Sequence, residues 1–325
     1  MSNEVSSKLN LIILECFDDI FSNFERDTKA LYSFLLVNRF WCKIIIPLLW
    51  KYPFSITSKG KEIKTLSSLL TEEEKLEIIK EGINLPPKDF SSMLFNYALY
   101  IREYNTSTLY QSIEGWYKEI VYNDFYFRIS YTTRVKAQLK IIFKVFTKLI
   151  MKNSTNIKNL SLLSPIIQND IPDVNIFINS QPGFKNIENF EWNISFDAPN
   201  LFFLIKSLEN ISHNIQDLRI YDTQHNLTFV SFDRFGPEFA PILKILSIHS
   251  ISLTTLQLSH ISNDVQDLFI RCPNIFDLKI MFRCKIDLLF LSILANNLTY
   301  LTHLTLHTYN HYGNEILIEL IVKLI

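Results

Sequence analysis

Glycine and cysteine are scarce in this chain of 325 residues, which contains 6 glycines and 4 cysteines. Glycine-rich phosphate loops are therefore not expected, and neither a G-x-G-x-x-G nor a Walker pattern is present. The cysteines form no C-x-x-C pair, and such scattered thiols predict a reduced, intracellular chain. We expect them to be packing residues rather than metal ligands, Cys272 and Cys284 in particular.

Long apolar runs and an excess of one charge are also lacking. The apolar stretch at 288–295 is far shorter than the ~20 residues that a membrane span needs, and the first residues do not resemble a secretory signal. The formal net charge is -1, from 32 Lys+Arg and 33 Asp+Glu, so no basic surface for nucleic acid is expected. The sequence predicts a soluble cytoplasmic or nuclear protein with neither membrane nor nucleic acid as a partner.

The sequence also contains no recognisable catalytic or metal-binding motif. No Ser-His-Asp, Cys-His or paired-carboxylate arrangement can be assembled. His303, His307 and His311 are four residues apart, a spacing that would invite a metal on a helix. The surrounding pattern LTHLTLHT is strand-like, and a strand separates these side chains too widely for one ion. We expect a non-catalytic protein without a cofactor or metal.

Apolar residues are abundant instead. Hydrophobic residues make up 48% of the chain and aromatic residues 14%, including 26 Phe, which predicts a folded chain with a large core. The length suits two or three domains, or one elongated array. We predict an α/β protein with boundaries at 8–54, 55–134 and 135–325.

Residues 12–50 contain three short amphipathic segments. Apolar side chains recur at three- and four-residue spacing up to Phe24, which predicts a helix. Asp27 or Thr28 is expected to cap a second helix that runs toward Trp41. A third segment at 44–46 is expected to stop at Pro47.

This N-terminal unit has more apolar residues than one small core needs. A unit of about forty residues is also marginally stable alone, because it buries little apolar surface. We therefore predict that some of its apolar side chains dock a partner. The alternative for each of them is a place in the core of the unit.

The region 55–134 is predicted to be helical. Thr71 and Glu74 fit a capping box, and Gly82 lies where a helix of this length would end. Residues 90–104 and 109–122 are expected to form further helices.

From residue 135 the pattern changes to repeats. A helical stripe at 139–150 precedes a unit of the form apolar-x-x-apolar-x-apolar, which occurs six times. Its middle residues are Leu160, Phe190, Leu218, Leu256, Leu278 and Leu304. Their separations of 30, 28, 38, 22 and 26 residues lie mostly near the leucine-rich period of 20–29. The longest gap holds a further candidate unit centred on Leu246, and the chain is expected to finish in an apolar helical segment.

Period-two alternation in these units turns a polar set of side chains away from the core. Concave solenoid surfaces bind ligands through such residues, although a solvated face is the alternative. The candidates for target binding are Ser161, Glu191, Arg219, Tyr221, Gln257, Lys279, His303 and Thr305.

Residues 12–50 resemble an F-box. The matching residues of its first part are Glu15, Phe17, Ile20, Phe21, Ser22 and Phe24, and those of the loop and second helix are Asp27 and Leu31. The central signature and the end are matched by Leu36, Val37, Asn38, Arg39, Trp41, Leu49 and Trp50. Asn38 replaces the usual Cys, and Ile12-Ile13 replace Leu-Pro, of which the Pro commonly lies on the adaptor-binding surface. The repeats resemble the leucine-rich subclass of F-box proteins, and the helical insert resembles families expanded in some fungi.

The resemblance implies a three-helix F-box, a helical intermediate region and a leucine-rich-repeat-like β/α solenoid. It also implies a substrate receptor of an SCF-type ubiquitin ligase, which binds a Skp-type adaptor, and through it cullin and RING subunits, together with a protein target. The adaptor-binding residues would be Ile12, Ile13, Phe17, Ile20, Phe21, Leu36, Val37, Trp41 and Trp50. The alternative is a leucine-rich binding scaffold that acts without the ligase.

Overall fold

The structure is a computed structural model, and its description covers fourteen segments of the chain. These are residues 20–21, 23–24, 27–54, 60–85, 94–122, 132–163, 171–179, 184–194, 199–212, 214–222, 248–261, 272–282, 288–309 and 315–321. Within them the fold is α/β, built on one sheet with helices packed against it.

The sheet has its strands in chain order, each paired with the next. The first seven are parallel and the eighth is antiparallel to the seventh. The strands are β1 Glu103–Asn105, β2 Asn159–Leu162, β3 Asn189–Ile194, β4 Asp217–Asp222, β5 Thr255–Ile261, β6 Asp277–Phe282, β7 His303–Tyr309 and β8 Glu315–Ile321. Parallel neighbours require crossover connections, and several of these connections contain helices.

The helices described are α1 Thr28–Leu35, α2 Arg39–Leu49, α3 Lys61–Ser67, α4 Glu72–Lys80, α5 Thr106–Tyr122, α6 Thr133–Asn153, α7 Asn175–Ile178, α8 Pro199–Ile211 and α9 Leu288–Asn297. A short 3₁₀ helix, Tyr97–Tyr100, precedes β1. The helices predicted at 109–122 and 139–150 are confirmed by α5 and α6. None of the helices in the described segments is both long and apolar enough to cross a membrane.

The six predicted repeat centres are confirmed as strand residues in register. Leu160 pairs with Phe190, and the same row continues through Leu218 and Leu256 to Leu304. All members of the row are buried and belong to the main apolar cluster. The candidate unit centred on Leu246 lies outside the described residues.

Strand β1 corrects the prediction of a helix at 90–104. Tyr104 joins the inner row beside Leu160 and is fully buried, and its hydroxyl is 2.9 Å from the hydroxyl of Thr147. One buried cluster runs from Ile63 to Leu306, so the helices of 60–122 pack on the same core as the sheet.

The end of the described chain is also different from the prediction. Residues Glu315–Ile321 form β8, whereas an apolar helical segment was expected. Leu304 and Leu306 of β7 pair with Leu320 and Ile318 of β8. A short apolar run fits either structure, and pairing with β7 decides in favour of a strand.

The capping box predicted in the helical region is confirmed in α4. The Thr71 hydroxyl accepts the amide of Glu74 at 3.2 Å, and the Glu74 carboxylate accepts the amide of Thr71 at 2.9 Å. Gly82, with φ of 77°, ends the helix as predicted. Asp27 caps α1 by a single bond, since its carboxylate accepts the amide of Ala30 at 3.0 Å.

The N-terminal unit divides its helices differently from the prediction. Asn38 is extended, and its side chain accepts the amide of Trp41 at 2.9 Å. This cap begins α2 at Arg39, so the helix that starts after Asp27 ends at Leu35 instead of continuing to Trp41. Pro47 lies inside α2, in its last turn, so the prediction that the third segment stops there is wrong; its missing amide removes one i→i−4 hydrogen bond, and the helix continues to Leu49.

Candidate functional site

The predicted target-binding residues lie in rows across one face of the sheet, which we call the polar sheet face. One row runs from Asn105 through Ser161, Glu191 and Arg219 to Gln257, Lys279 and Thr305. A parallel row consists of Glu103, Asn159, Asn189, Asp217, Thr255, Asp277 and His303. Side chains of alternate residues share a face, so both rows point away from the buried leucines. The strand pairing brings seven of the eight candidates into these two rows.

The members of these rows differ in exposure. Arg219 and His303 are exposed, and Gln257, Lys279 and Thr305 are half-buried. Ser161 is only 8% exposed, and its hydroxyl donates to the Glu191 carboxylate at 2.7 Å. It therefore serves to hold Glu191 rather than to contact a target itself. Tyr221 lies two residues beyond Arg219 in β4, where it pairs with Asn193 of β3, and its side chain is not among those described.

A cleft of about 270 Å³ opens on the polar sheet face over the first four strands. Its lining includes the carboxylates of Glu103, Glu191 and Asp217 and the guanidinium of Arg219. The remaining lining residues are Asn159, Ser161, Asn189 and Phe190. Three acidic groups and one cation give the cleft an excess of negative charge.

The charged groups of the cleft fall into two sets. Arg219 is bound by Asp217 on its own strand through two contacts, at 2.6 and 3.1 Å. Glu103 is further along the sheet, and burial raises the pKa of its carboxyl. A hydrogen bond from Asn105 lowers this pKa, while the charge of Glu191 raises it. The first three strands thus hold two carboxylates in mutual repulsion.

Three polar residues of the cleft were not predicted from the sequence: Glu103, Asn159 and Asn189. A strand of three residues is too short for alternation to be detected, so β1 gave no period-two signal. A local signal does exist at Asn105, whose side chain accepts the amides of Ser107 and Thr108 and so caps α5. An Asn before T-S-T marks that boundary.

Metal binding finds no support in the described residues. They contain no group of three His, Cys, Asp or Glu side chains that could hold an ion. Cys272 is fully buried, as predicted for a packing residue, and Cys284 lies outside the described residues.

The predicted adaptor-binding residues separate into core and surface sets. Phe21 is 2% exposed, with its ring 5.1 Å from Trp41 and 5.2 Å from Phe34. Its place is in the core of the unit, so it cannot contact a partner directly. Trp41 is half-buried against the same cluster. Ile12, Ile13 and Phe17 lie outside the described residues.

Trp50 connects the N-terminal unit to the rest of the protein. Its ring is tilted by 33° against that of Tyr97, with the centroids 4.6 Å apart, and packs against the main core. The amide of Arg102 donates to the carbonyl of Lys51 at 3.0 Å beside it. Its packing gives Trp50 a structural role at this junction.

The surface set consists of residues in and beside the turn between α1 and α2, together with Ile20, which precedes α1. Leu36 is 88% exposed and Val37 54%, and Ile20 is 52% exposed. Tyr32 and Phe40 are exposed beside them in sequence. We call these five residues the turn patch. Four of the five fall within nine residues of chain, and large exposed apolar side chains that lie together mark interaction surfaces.

Comparison with known proteins does not assign the chain to a family. No protein-family model, no curated protein and no solved structure matches this chain.

Proposed function

We propose that this protein is the substrate-recognition subunit of an SCF-type (Skp–cullin–F-box) E3 ubiquitin ligase. Its N-terminal unit would be an F-box that docks the Skp adaptor, and residues 135–325 would be a leucine-rich-repeat solenoid that holds the target. The observation that carries the proposal is the exposure of Leu36 and Val37. Both belong to the central F-box signature that the sequence resembles.

The energetics of the turn patch favour docking. Leu36 and Val37 are exposed although the helices on both sides have formed a core around Phe21 and Leu31. Full burial of such a side chain contributes about 1.5–3 kcal/mol of favourable free energy, which the protein lacks while these side chains remain in water. Large apolar anchors at the centre of an interface usually supply most of its binding energy.

The sheet supports the second half of the proposal. Strands in chain order, several of them joined by segments that contain helices, are what a stacked repeat array requires. The inner leucine row fills the core, and the polar sheet face is left for a target. No chemistry would occur on this chain. Its contribution would be to raise the effective concentration of target lysines near the conjugating enzyme that carries ubiquitin.

Co-expression with a Skp-type adaptor and size-exclusion chromatography tests the proposal. We expect wild-type protein to form a stoichiometric complex that also recruits the cullin. The double variant Leu36→Ala/Val37→Ala should weaken adaptor binding by roughly 10-fold or more, as hot-spot truncation does.

The control variant is Phe203→Ala/Ile251→Ala, which removes apolar side chains that are 56% and 79% exposed on the repeat region. It should leave adaptor binding unchanged. No complex from folded wild-type protein, or equal losses in both double variants, would contradict the proposal. The first result would favour the ligase-independent scaffold and direct attention to Ile12-Ile13.

A further inference from the structure

The two ends of the cleft on the polar sheet face differ in charge balance. Asp217 and Arg219 neutralise each other within β4. In the described part of the chain, no Lys, Arg or His lies within 4.0 Å of the carboxylates of Glu103 or Glu191. The charges of the cleft therefore cancel at β4, whereas an excess of negative charge remains over β1 to β3.

The carboxylate of Glu191 is held in place by the hydroxyl of Ser161. Asn159 and Asn189 lie in the row of Glu103. The side-chain Nδ2 of Asn189 donates to the side-chain Oδ1 of Asn159 at 2.6 Å. That contact leaves the oxygen of the Asn189 side chain as an acceptor at the cleft. The surface thus presents carboxylate and amide oxygens from three adjacent strands.

Burial makes the negative charge of Glu103 costly. A carboxyl whose pKa is raised by desolvation and by a second carboxylate is stabilised by an incoming cation. The cleft volume of about 270 Å³ is below the range of drug-sized ligand pockets. It suits one side chain of a larger partner.

From this arrangement we infer that the cleft binds an arginine side chain of the target protein. The inference rests on the proposed role of the polar sheet face in target binding. Glu103 and Glu191 are two strands apart and two residues apart along the strand direction, so their Cα atoms are separated by about 12 Å. A guanidinium presents five donors in a planar fork and so reaches acceptors on both sides.

Other cations fit this spacing less well. A lysine ammonium is a compact point charge that serves one carboxylate at a time. Metal ions such as Mg²⁺ and Ca²⁺ require oxygen ligands within about 2.0–2.6 Å, a tighter cluster than separate strands provide here. The protein's net charge of -1 gives no general attraction for cations, so binding would be local to the cleft.

Fluorescence anisotropy with a labelled peptide of alternating arginine and serine tests this inference on the full chain. Peptides with lysine or glutamine in place of every arginine are the matched probes. We expect wild-type protein to bind the arginine peptide several-fold more tightly than either of them, and binding to weaken as salt is added.

Glu103→Gln and Glu191→Gln keep the side-chain size and remove the charge. Each should weaken binding of the arginine peptide by about 5-fold, and the double variant by more than roughly 10-fold. Glu73→Gln is the control, because Glu73 is an exposed carboxylate in the first turn of α4. Circular dichroism checks that each variant is folded.

Three results would overturn the inference: lysine or glutamine peptides that bind wild-type protein as well as the arginine peptide, cleft variants that bind like wild type, or a Glu73→Gln loss as large as theirs. The comparison of peptides on wild-type protein needs no variant to fold. Adaptor binding is measured separately on the same samples. Peptide binding without adaptor binding refutes the ligase role alone, and the reverse refutes the cleft alone.

Discussion

At Gly60 the neighbouring backbone leaves no room for a side chain. It precedes α3 with φ of 81°, in the left-handed region that favours glycine. A Cβ at this position would lie 2.3 Å from the amide nitrogen of Trp116 and 2.6 Å from the carbonyl oxygen of Ser112. Both are backbone atoms of α5, which cannot rotate away. The absence of a side chain allows the two helices to meet.

We predict that Gly60→Ala destabilises the protein by about 2–5 kcal/mol. The left-handed conformation costs a residue with a Cβ about 1–2 kcal/mol. Overpacking against rigid neighbours adds about 1–3 kcal/mol. Urea denaturation followed by far-ultraviolet circular dichroism gives the free energy of unfolding and shows by its slope whether the transition stays cooperative.

Gly82→Ala is the matched control. Gly82 has a similar φ of 77°, but a Cβ there would meet only the guanidinium end of Arg134, at 3.1 Å. The flexible side chain can move, so the expected loss is only the conformational cost of about 1–2 kcal/mol. A Gly60→Ala loss no larger than that of Gly82→Ala would refute the close approach of α3 to α5.

Three further changes test individual contacts by the same denaturation measurement. Glu103→Gln should stabilise the protein at neutral pH, because burial raises the pKa of Glu103 and makes its ionised form unfavourable; the gain should vanish as pH falls below the ordinary glutamate pKa of about 4.3. His249→Ala should cost about 1–3 kcal/mol, since the buried His249 Nδ1 accepts the amide of Ile215 at 3.2 Å, and His249→Asn should cost less. Thr71→Ala should cost about 1 kcal/mol by removing the cap of α4, and an unchanged midpoint would contradict the capping box.

The strands could be predicted where the sequence repeats the same alternation. Leu218 and Leu256 occupy the same place in their units, and the sheet pairs them directly. Side-chain alternation then predicted which residues face away from the core, and this rule placed both Arg219 and Gln257 on the polar sheet face. Local rules also sufficed for the caps at Asp27 and Thr71, because a cap depends on residues three positions apart.

Other elements depend on distant contacts that a local pattern does not contain. Strand β1 exists because Glu103–Asn105 pairs with β2 across more than fifty residues of chain. β8 is a strand because its apolar run pairs with β7. Phe21 was assigned to the surface because spacing shows that a residue is on the apolar stripe, not whether that stripe meets the unit's own core or a partner.

Replacing Glu103 of the cleft is expected to change protein stability and peptide binding in opposite directions. If Glu103 were retained for the fold, its replacement by Gln would weaken the protein at neutral pH. Burial and the neighbouring Glu191 instead predict that the replacement stabilises the fold. The same replacement should weaken binding of an arginine peptide, because it removes one of the two charges left without a cation in the described cleft. A carboxylate held at a cost to folding is expected where function requires its charge, so measuring both effects on one variant separates a binding residue from a structural one.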